Sequence, residues 1–307
     1  MDRRSALVRV ADVVEHAGWP LALRLLQRAR RSIEAIDRSV LGDDFEARVA
    51  MLAQHHERMG GDPFGLDLKT ARATIRVCAY FHRLYFRTVV ENIDRVPPGR
   101  VIIASNHGGQ VPVDATLIGC AMLLDGPSPR IVRAMVDRWV GSLPFVSTFL
   151  MRVGQVPGLP DNARRLLERE EAVLTFPEGI RGIAKPFSQR YQLQPFSHGF
   201  VRLALSTGAP VVPTAVLGTE EQYISLGNLE GVARALKLPV FPLLPQLLLP
   251  GGQLPLPTRC RVCFGEPMFL EGRPDDDDAV SHQVWLVRQA VQHLVQDGLA
   301  KRRSPFW

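Results

Sequence analysis

Apolar positions along the chain fall into short continuous runs set between longer stretches of helical period, which predicts alternating buried strands and amphipathic helices. The run Val101, Ile102, Ile103, Ala104 enters Ser105-Asn106-His107 and then Gly108 and Gly109. From Asp114, the sequence ATLIGCAMLL reads as a helix. Further buried strands are expected over 130–135, 172–176, 211–217 and 259–264. Over 19–41, Ala22, Leu26, Ala29, Ile33, Ile36 and Val40 share one helical face, and Arg24, Arg28 and Arg31 share another. Other helices are expected over 45–59, 68–90, 162–171, 199–207 and 281–301. In the second of these, His82 falls on the apolar face with Ala71, Ile75, Cys78, Ala79 and Phe86 and is read as a core residue. The breaker cluster Gly60-Gly61-Asp62-Pro63-Phe64-Gly65 marks a boundary between an N-terminal helical segment, 1–66, and a larger domain, 67–307. Strands alternating with helices place that domain in the α/β class, with a mixed, partly parallel sheet flanked by helices.

Composition narrows the class of partner. The 307 residues are 46% hydrophobic and 22% charged, which suits a chain that buries a sizeable core. A formal net charge of +6 favours anionic partners such as acidic lipids or phosphorylated molecules. Nucleic acid is not expected, because no recognition motif or interleaved aromatic stripe accompanies the charge. Cys260 and Cys263 form a C-x-x-C with no second pair to complete a zinc site, and they sit in a strand-like segment. Asp275, Asp276, Asp277 and Asp278 precede a helix, where acids favour the N-terminal dipole, so no metal site is expected. The uncharged run 238–258 contains six prolines and cannot close its backbone hydrogen bonds in lipid. It is expected to be an apolar loop that shelters an acyl chain or rests on a membrane. The uncharged, aromatic-rich stretch 139–151 is too short to span a bilayer and reads as a core helix or a helix dipping into the interface. The chain starts MDRRSALVRVADVVEHAG, without an apolar leader core, so a cytoplasmic protein held at the inner membrane face is expected.

His107 and Asp114 carry the chemistry of a base and its orienter. A neutral imidazole takes a proton from an attacking hydroxyl, and a carboxylate on its other nitrogen fixes the tautomer. No G-x-S-x-G elbow is present, so the attacking hydroxyl is assigned to the substrate. Past another strand end, Phe176-Pro177-Glu178-Gly179-Ile180-Arg181 offers an arginine fork for phosphate. With Asn106-His107 and its downstream Asp, this segment and Val212-Pro213-Thr214 follow in the order of three sequence blocks. On these blocks, the chain resembles the glycerolipid acyltransferase family over roughly 93–267. The best-known members of that family make phosphatidic acid from lysophosphatidic acid.

The resemblance implies that His107 and Asp114 are the catalytic dyad. It implies that Glu178, Gly179 and Arg181 hold a glycerol-phosphate acceptor and that Pro213 shapes the acyl-donor side. Lys185 and Arg190 are candidate further anion contacts. It also implies an acyl-CoA or acyl carrier protein donor, a glycerolipid acceptor, a membrane surface and no cofactor. Two departures stand out. Six residues separate His107 from Asp114 where the family usually has four. The slot of the family's aromatic, arginine-ended second block holds Arg152-Val153-Gly154-Gln155-Val156-Pro157. The second departure leaves a neutral acceptor, a monoacylglycerol or diacylglycerol, open beside a phosphorylated one. The first motivates an alternative: a catalytically inactive lipid-binding protein on the same fold.

Overall fold

The computed structural model describes residues 34–236 and 238–306, together with Arg28. The chain divides into two compact units, Met1–Phe45 and Glu46–Trp307. In the first, residues 34–41 are helical, at the end of the helix expected over 19–41. The rest of that helix, with Arg24 and Arg31, lies outside the described residues.

The second unit holds seven strands: β1 (Val89–Glu91), β2 (Val101–Ser105), β3 (Val132–Val136), β4 (Val156–Pro157), β5 (Ala172–Thr175), β6 (Val211–Leu217) and β7 (Arg261–Phe264). They form one sheet in the order β1-β7-β6-β2-β5-β3-β4. Every neighbouring pair is parallel except β6 and β7. β2 lies at the centre, and its unbroken apolar run follows from burial on both faces. Ile102 and Ala104 enter one core, with residues from the helices Pro160–Glu168, Gly199–Thr207 and Asp277–Ala300. Val101 and Ile103 enter the opposite core, with Leu117 and Ile118 of the helix Val113–Cys120. Because β5 and β6 run parallel to β2 on either side, Ala104 pairs with Thr175 and Ser105 with Thr214. The segments leaving β2 and β5 therefore meet at one carboxyl edge of the sheet, where ligands bind in open α/β folds.

Three elements differ from expectation. The helix expected over 68–90 ends as Leu68–Tyr80 plus a wide turn, Phe81–Tyr85. Arg87 then takes a left-handed conformation (φ 45°), and Val89–Glu91 pairs with β7 as an edge strand. Of the two expectations for 139–151, a core helix is not what forms: the stretch contains most of the short helix Val146–Arg152, and Phe145 is 88% exposed. The last helix starts earlier than residue 281, at Asp277, because the Asp276 side chain accepts from the amides of Asp278 and Ala279.

The breaker cluster is tied into the sheet by a buried ion pair. Arg133 of β3 is fully buried and donates from Nη1 to Asp62 Oδ2 at 2.6 Å and from Nε to the Gly154 carbonyl at 2.7 Å. Asp62 also accepts from the Phe64 and Leu66 amides at 2.8 and 3.0 Å. Burial alone would raise the Asp62 pKa, but the bonds from Arg133 and the amides outweigh it and hold the carboxyl below its usual range. Asp62→Ala strands a buried guanidinium and is expected to cost about 3–5 kcal/mol, read from urea denaturation at neutral pH. Because the folded pKa is depressed, the wild-type advantage is present above the unfolded value of 3.8 and shrinks as pH falls through the lower folded value.

Candidate active site

Past the end of β2, the buried Asn106 extends the sheet with its side chain. Its Nδ2 donates to the Val216 carbonyl at 3.0 Å, and its Oδ1 accepts from the Val216 amide at 2.8 Å. The amide group thereby replaces a strand peptide opposite β6 and fixes where the chain leaves the sheet. His107 follows with its backbone and ring both held. Its amide donates to Glu178 Oε1 at 2.9 Å. Its ring stacks on Phe176, with centroids 4.0 Å apart and planes inclined by 14°. Its Nδ1 lies 2.6 Å from Asp114 Oδ2.

The two added residues between His107 and Asp114 do not separate the pair. The fully buried Asp114 also accepts from the Gly108 amide at 3.1 Å, so the loop closes on the carboxylate that begins the next helix. Gly108 is required here, because a Cβ on it would stand 2.1 Å from Cγ of Glu220. Behind the histidine, a Cβ on Gly182 would stand 2.8 Å from His107 Cβ. Glycine at both positions lets two loops pack directly against the histidine segment.

A buried charge network lies behind this segment. Glu178 accepts from Gln194 N through its second oxygen at 2.7 Å. Lys185 Nζ lies 3.6 Å from Glu178 Oε2 and 3.2 Å from Glu220 Oε1, and all three side chains are buried. Glu220 Oε2 accepts from the Tyr191 amide at 2.9 Å. Burial pushes the Glu220 carboxyl up to about 7, against the opposing pull of Lys185.

In front of His107 opens a cavity of about 840 Å³. Its wall is mostly apolar, with Ile75, Leu123, Val132, Leu150, Phe176 and Ile183 among the lining residues. Gly179 and Ile180 line it beside His107. This volume falls in the range of sites that enclose most of a drug-sized ligand.

Several residues singled out in the sequence sit elsewhere than expected. Glu178 is committed to the His107 and Gln194 amides, so it shapes the loop rather than facing an acceptor. Lys185 is enclosed by two carboxyl groups. Arg181 is exposed and donates to the Pro195 carbonyl at 2.8 Å. Arg190 is exposed and rests over the Phe187 ring at 4.5 Å. Pro213 is buried within β6 opposite Ala104, and it does not line the cavity. It fits there because the antiparallel ladder to β7 starts one residue later, at Thr214. The sequence motifs do not reveal the tasks of Glu220, Phe176 and the Asn106 amide group. For Glu220, the one signal is a pair of acids that follows Gly218-Thr219 after the apolar run of β6.

Comparison with known proteins gives the family. The Acyltransferase family model matches residues 87–217, which contain His107, Asp114, Glu178, Arg181 and Pro213. An uncharacterized protein of Mycobacterium leprae is 34% identical over 283 residues, spanning 85% of this chain and 77% of that protein. The chain belongs to the acyltransferase family. A protein of Mycobacterium tuberculosis H37Rv is 33% identical to this acyltransferase over 255 residues, 80% of this chain and 71% of that one. Phytyl ester synthase 1 of Arabidopsis thaliana, a chloroplast protein, is 28% identical over 181 residues, 49% of this chain and 25% of the plant protein. Among solved structures, the 1-acyl-sn-glycerophosphate (LPA) acyltransferase PlsC of Thermotoga maritima matches with a TM-score of 0.50. That match covers 90% of this chain and 99% of PlsC at 17% identity, a likeness of fold.

Proposed function

We propose that this acyltransferase moves a fatty acyl group from an acyl thioester, on coenzyme A or acyl carrier protein, directly to a lipid hydroxyl. The observation that carries the reading is the 2.6 Å contact between His107 Nδ1 and Asp114, on a ring that lines an apolar cavity of about 840 Å³. With Nδ1 engaged by the carboxylate, Nε2 is the nitrogen left for substrate. The acceptor O–H gives its proton to Nε2 as its oxygen bonds to the thioester carbonyl carbon. The C–S bond then breaks, and the leaving sulfur takes the proton back from the imidazolium. The products are an ester and a free thiol, with no acyl group on the enzyme and no cofactor. Ester formation also fits the name of the plant relative, a phytyl ester synthase.

The cavity wall suits an acyl chain, whose burial is favourable in proportion to its apolar area. Exposed apolar side chains support a protein working against the inner face of the cytoplasmic membrane. Phe145 and Phe149 are exposed close in sequence to the lining residues Leu143, Val146 and Leu150, and Leu248 and Leu249 are exposed in the proline-rich loop. Among the described residues no helix is long and apolar enough to cross a membrane. The loop extension that motivates a binding-only reading leaves the dyad in contact, so acyl transfer is the better account. The test is incubation of the purified protein with oleoyl-CoA and lipid alcohols, following thiol release and ester formation together. Equal amounts of thiol and ester are expected; absence of ester with every acceptor refutes the proposal.

A further inference from the structure

We propose that Arg302, in the segment after the last helix, is a positioning residue for the His107 loop, an inference that rests on the acyl transfer proposed above. It acts through the turn 218–221, on which that loop lies. Gly108 and Gly109 open the loop between His107 and Asp114, and both pack against the turn. A Cβ on Gly108 would stand 2.1 Å from Glu220 Cγ, and one on Gly109 would stand 2.8 Å from the Thr219 carbonyl oxygen. The Gly108 amide donates at 3.1 Å to Asp114 Oδ2, the same oxygen that lies 2.6 Å from His107 Nδ1. A displaced turn therefore disturbs the dyad through the first residue after the histidine.

Side chains, more than its own backbone, fix the place of this turn. Its internal bonds are long: 3.4 Å from the Glu221 amide to the Gly218 carbonyl and 3.3 Å from the Gln222 amide to the Thr219 carbonyl. Tyr191 grips it twice, accepting from the Gly218 amide at its hydroxyl and donating its own amide to Glu220 Oε2, each at 2.9 Å. The Tyr191 backbone is left-handed (φ 63°), a conformation that a bulky residue keeps only where its surroundings over-determine it. Arg302 closes the assembly. Its Nη1 donates to Glu221 Oε2 and, at 3.2 Å, to the Tyr191 hydroxyl oxygen. Its Nη2 donates to the carbonyls of Arg259 and Pro305 at 3.2 and 2.8 Å. The Arg302 and Glu221 side chains are only 7% and 10% exposed, so this pair is shielded from solvent.

The separation of these groups from the cavity decides what their loss would do. Tyr191, Glu221 and Arg302 do not line the cavity, so a substitution at Arg302 leaves the binding wall unchanged. It loosens the turn, and with it the loop that holds His107 against Asp114. The effect belongs in kcat rather than in KM, and a misplacement of about 1 Å at a catalytic group can cost about 10²-fold. Lysine is no equal substitute, because a point charge on a flexible stem cannot reach four partners as the planar fork does. Glu221 and Arg302 also fall outside the residues 87–217 that the Acyltransferase model matches, so this brace is built by the chain beyond the matched region.

The experiment measures kcat and KM for ester formation from oleoyl-CoA and a lipid alcohol that the wild type esterifies. It compares the wild type with Arg302→Lys and with the double variant Arg302→Met, Glu221→Met. Arg302→Lys keeps a cation beside Glu221, and the double variant leaves neither charge buried and unpaired. The folded fraction is read by circular dichroism, so that rates refer to folded molecules. The double variant is expected to lose about 10–10²-fold in kcat, and Arg302→Lys about tenfold, with the KM for oleoyl-CoA within about twofold of wild type. Wild-type kcat in the folded double variant, or a raised KM at unchanged kcat, overturns the inference and leaves the acyl transfer standing. If the double variant does not fold, the same criteria apply to Arg302→Lys. Loss of folding in both variants assigns Arg302 to the fold as a whole and overturns the inference too. A wild type that forms no ester removes the transfer reading, and this inference with it.

Discussion

Asp114→Asn is expected to lower kcat by about 10²–10⁴-fold, the range a positioned general base contributes, with the KM for thioester nearly unchanged. The reason is the tautomer. The Asp114 carboxylate, 2.6 Å from Nδ1, keeps a proton on that nitrogen and leaves a lone pair on Nε2. An asparagine amide can turn its NH₂ toward Nδ1, which moves the ring proton to Nε2 and removes the base. The carboxylate also stabilises the imidazolium that forms when the acceptor is deprotonated. The substituted side chain would keep its oxygen for the Ala115 amide, so the loop retains part of its hydrogen bonding. The check is steady-state kinetics beside circular dichroism: a folded variant with wild-type kcat contradicts the assigned role.

Lys185→Met is expected to destabilise the protein by about 3–5 kcal/mol at pH 8, because it leaves two buried carboxyl groups without their shared cation. The pH dependence distinguishes this from simple loss of packing. In the wild type, burial raises the Glu220 pKa from 4.5 to about 7, so its contribution is fully present below pH 4.5 and lost as pH rises toward 7. Lys185 lowers that pKa, and removing it carries the loss to higher pH. The penalty of the substitution should therefore grow from pH 5 to pH 8 in urea denaturation. A penalty independent of pH would mean that Lys185 contributes packing alone. Since Glu178 holds the His107 amide and Glu220 packs on Gly108, the same variant should lose activity before it unfolds.

The core strands and the dyad can be read from the sequence because each is local. β2, β5 and β6 are short apolar runs in the buried centre of the sheet, a pattern with no helical competitor of that length. His107 and Asp114 flank one loop, so their pairing depends on the turn between them. β1 is hidden because residues 81–90 are rich in aromatic and branched side chains that satisfy both helical and strand patterns. The fate of the cations is hidden for a different reason. Whether Lys185 or Arg181 faces a ligand depends on partners further along the chain, Glu220 for the first and the Pro195 carbonyl for the second. Composition shows an excess of positive charge, and only folding reveals that Lys185 is enclosed by Glu178 and Glu220.

The central claim is that His107 removes the acceptor proton, and its most direct test compares wild type with His107→Ala. Both proteins are given oleoyl-CoA and a lipid alcohol that the wild type esterifies, and ester formation is measured with the fold verified by circular dichroism. The account predicts a loss of about 10²–10⁴-fold in ester formation by the folded variant. Ester formation at the wild-type rate by His107→Ala would contradict it.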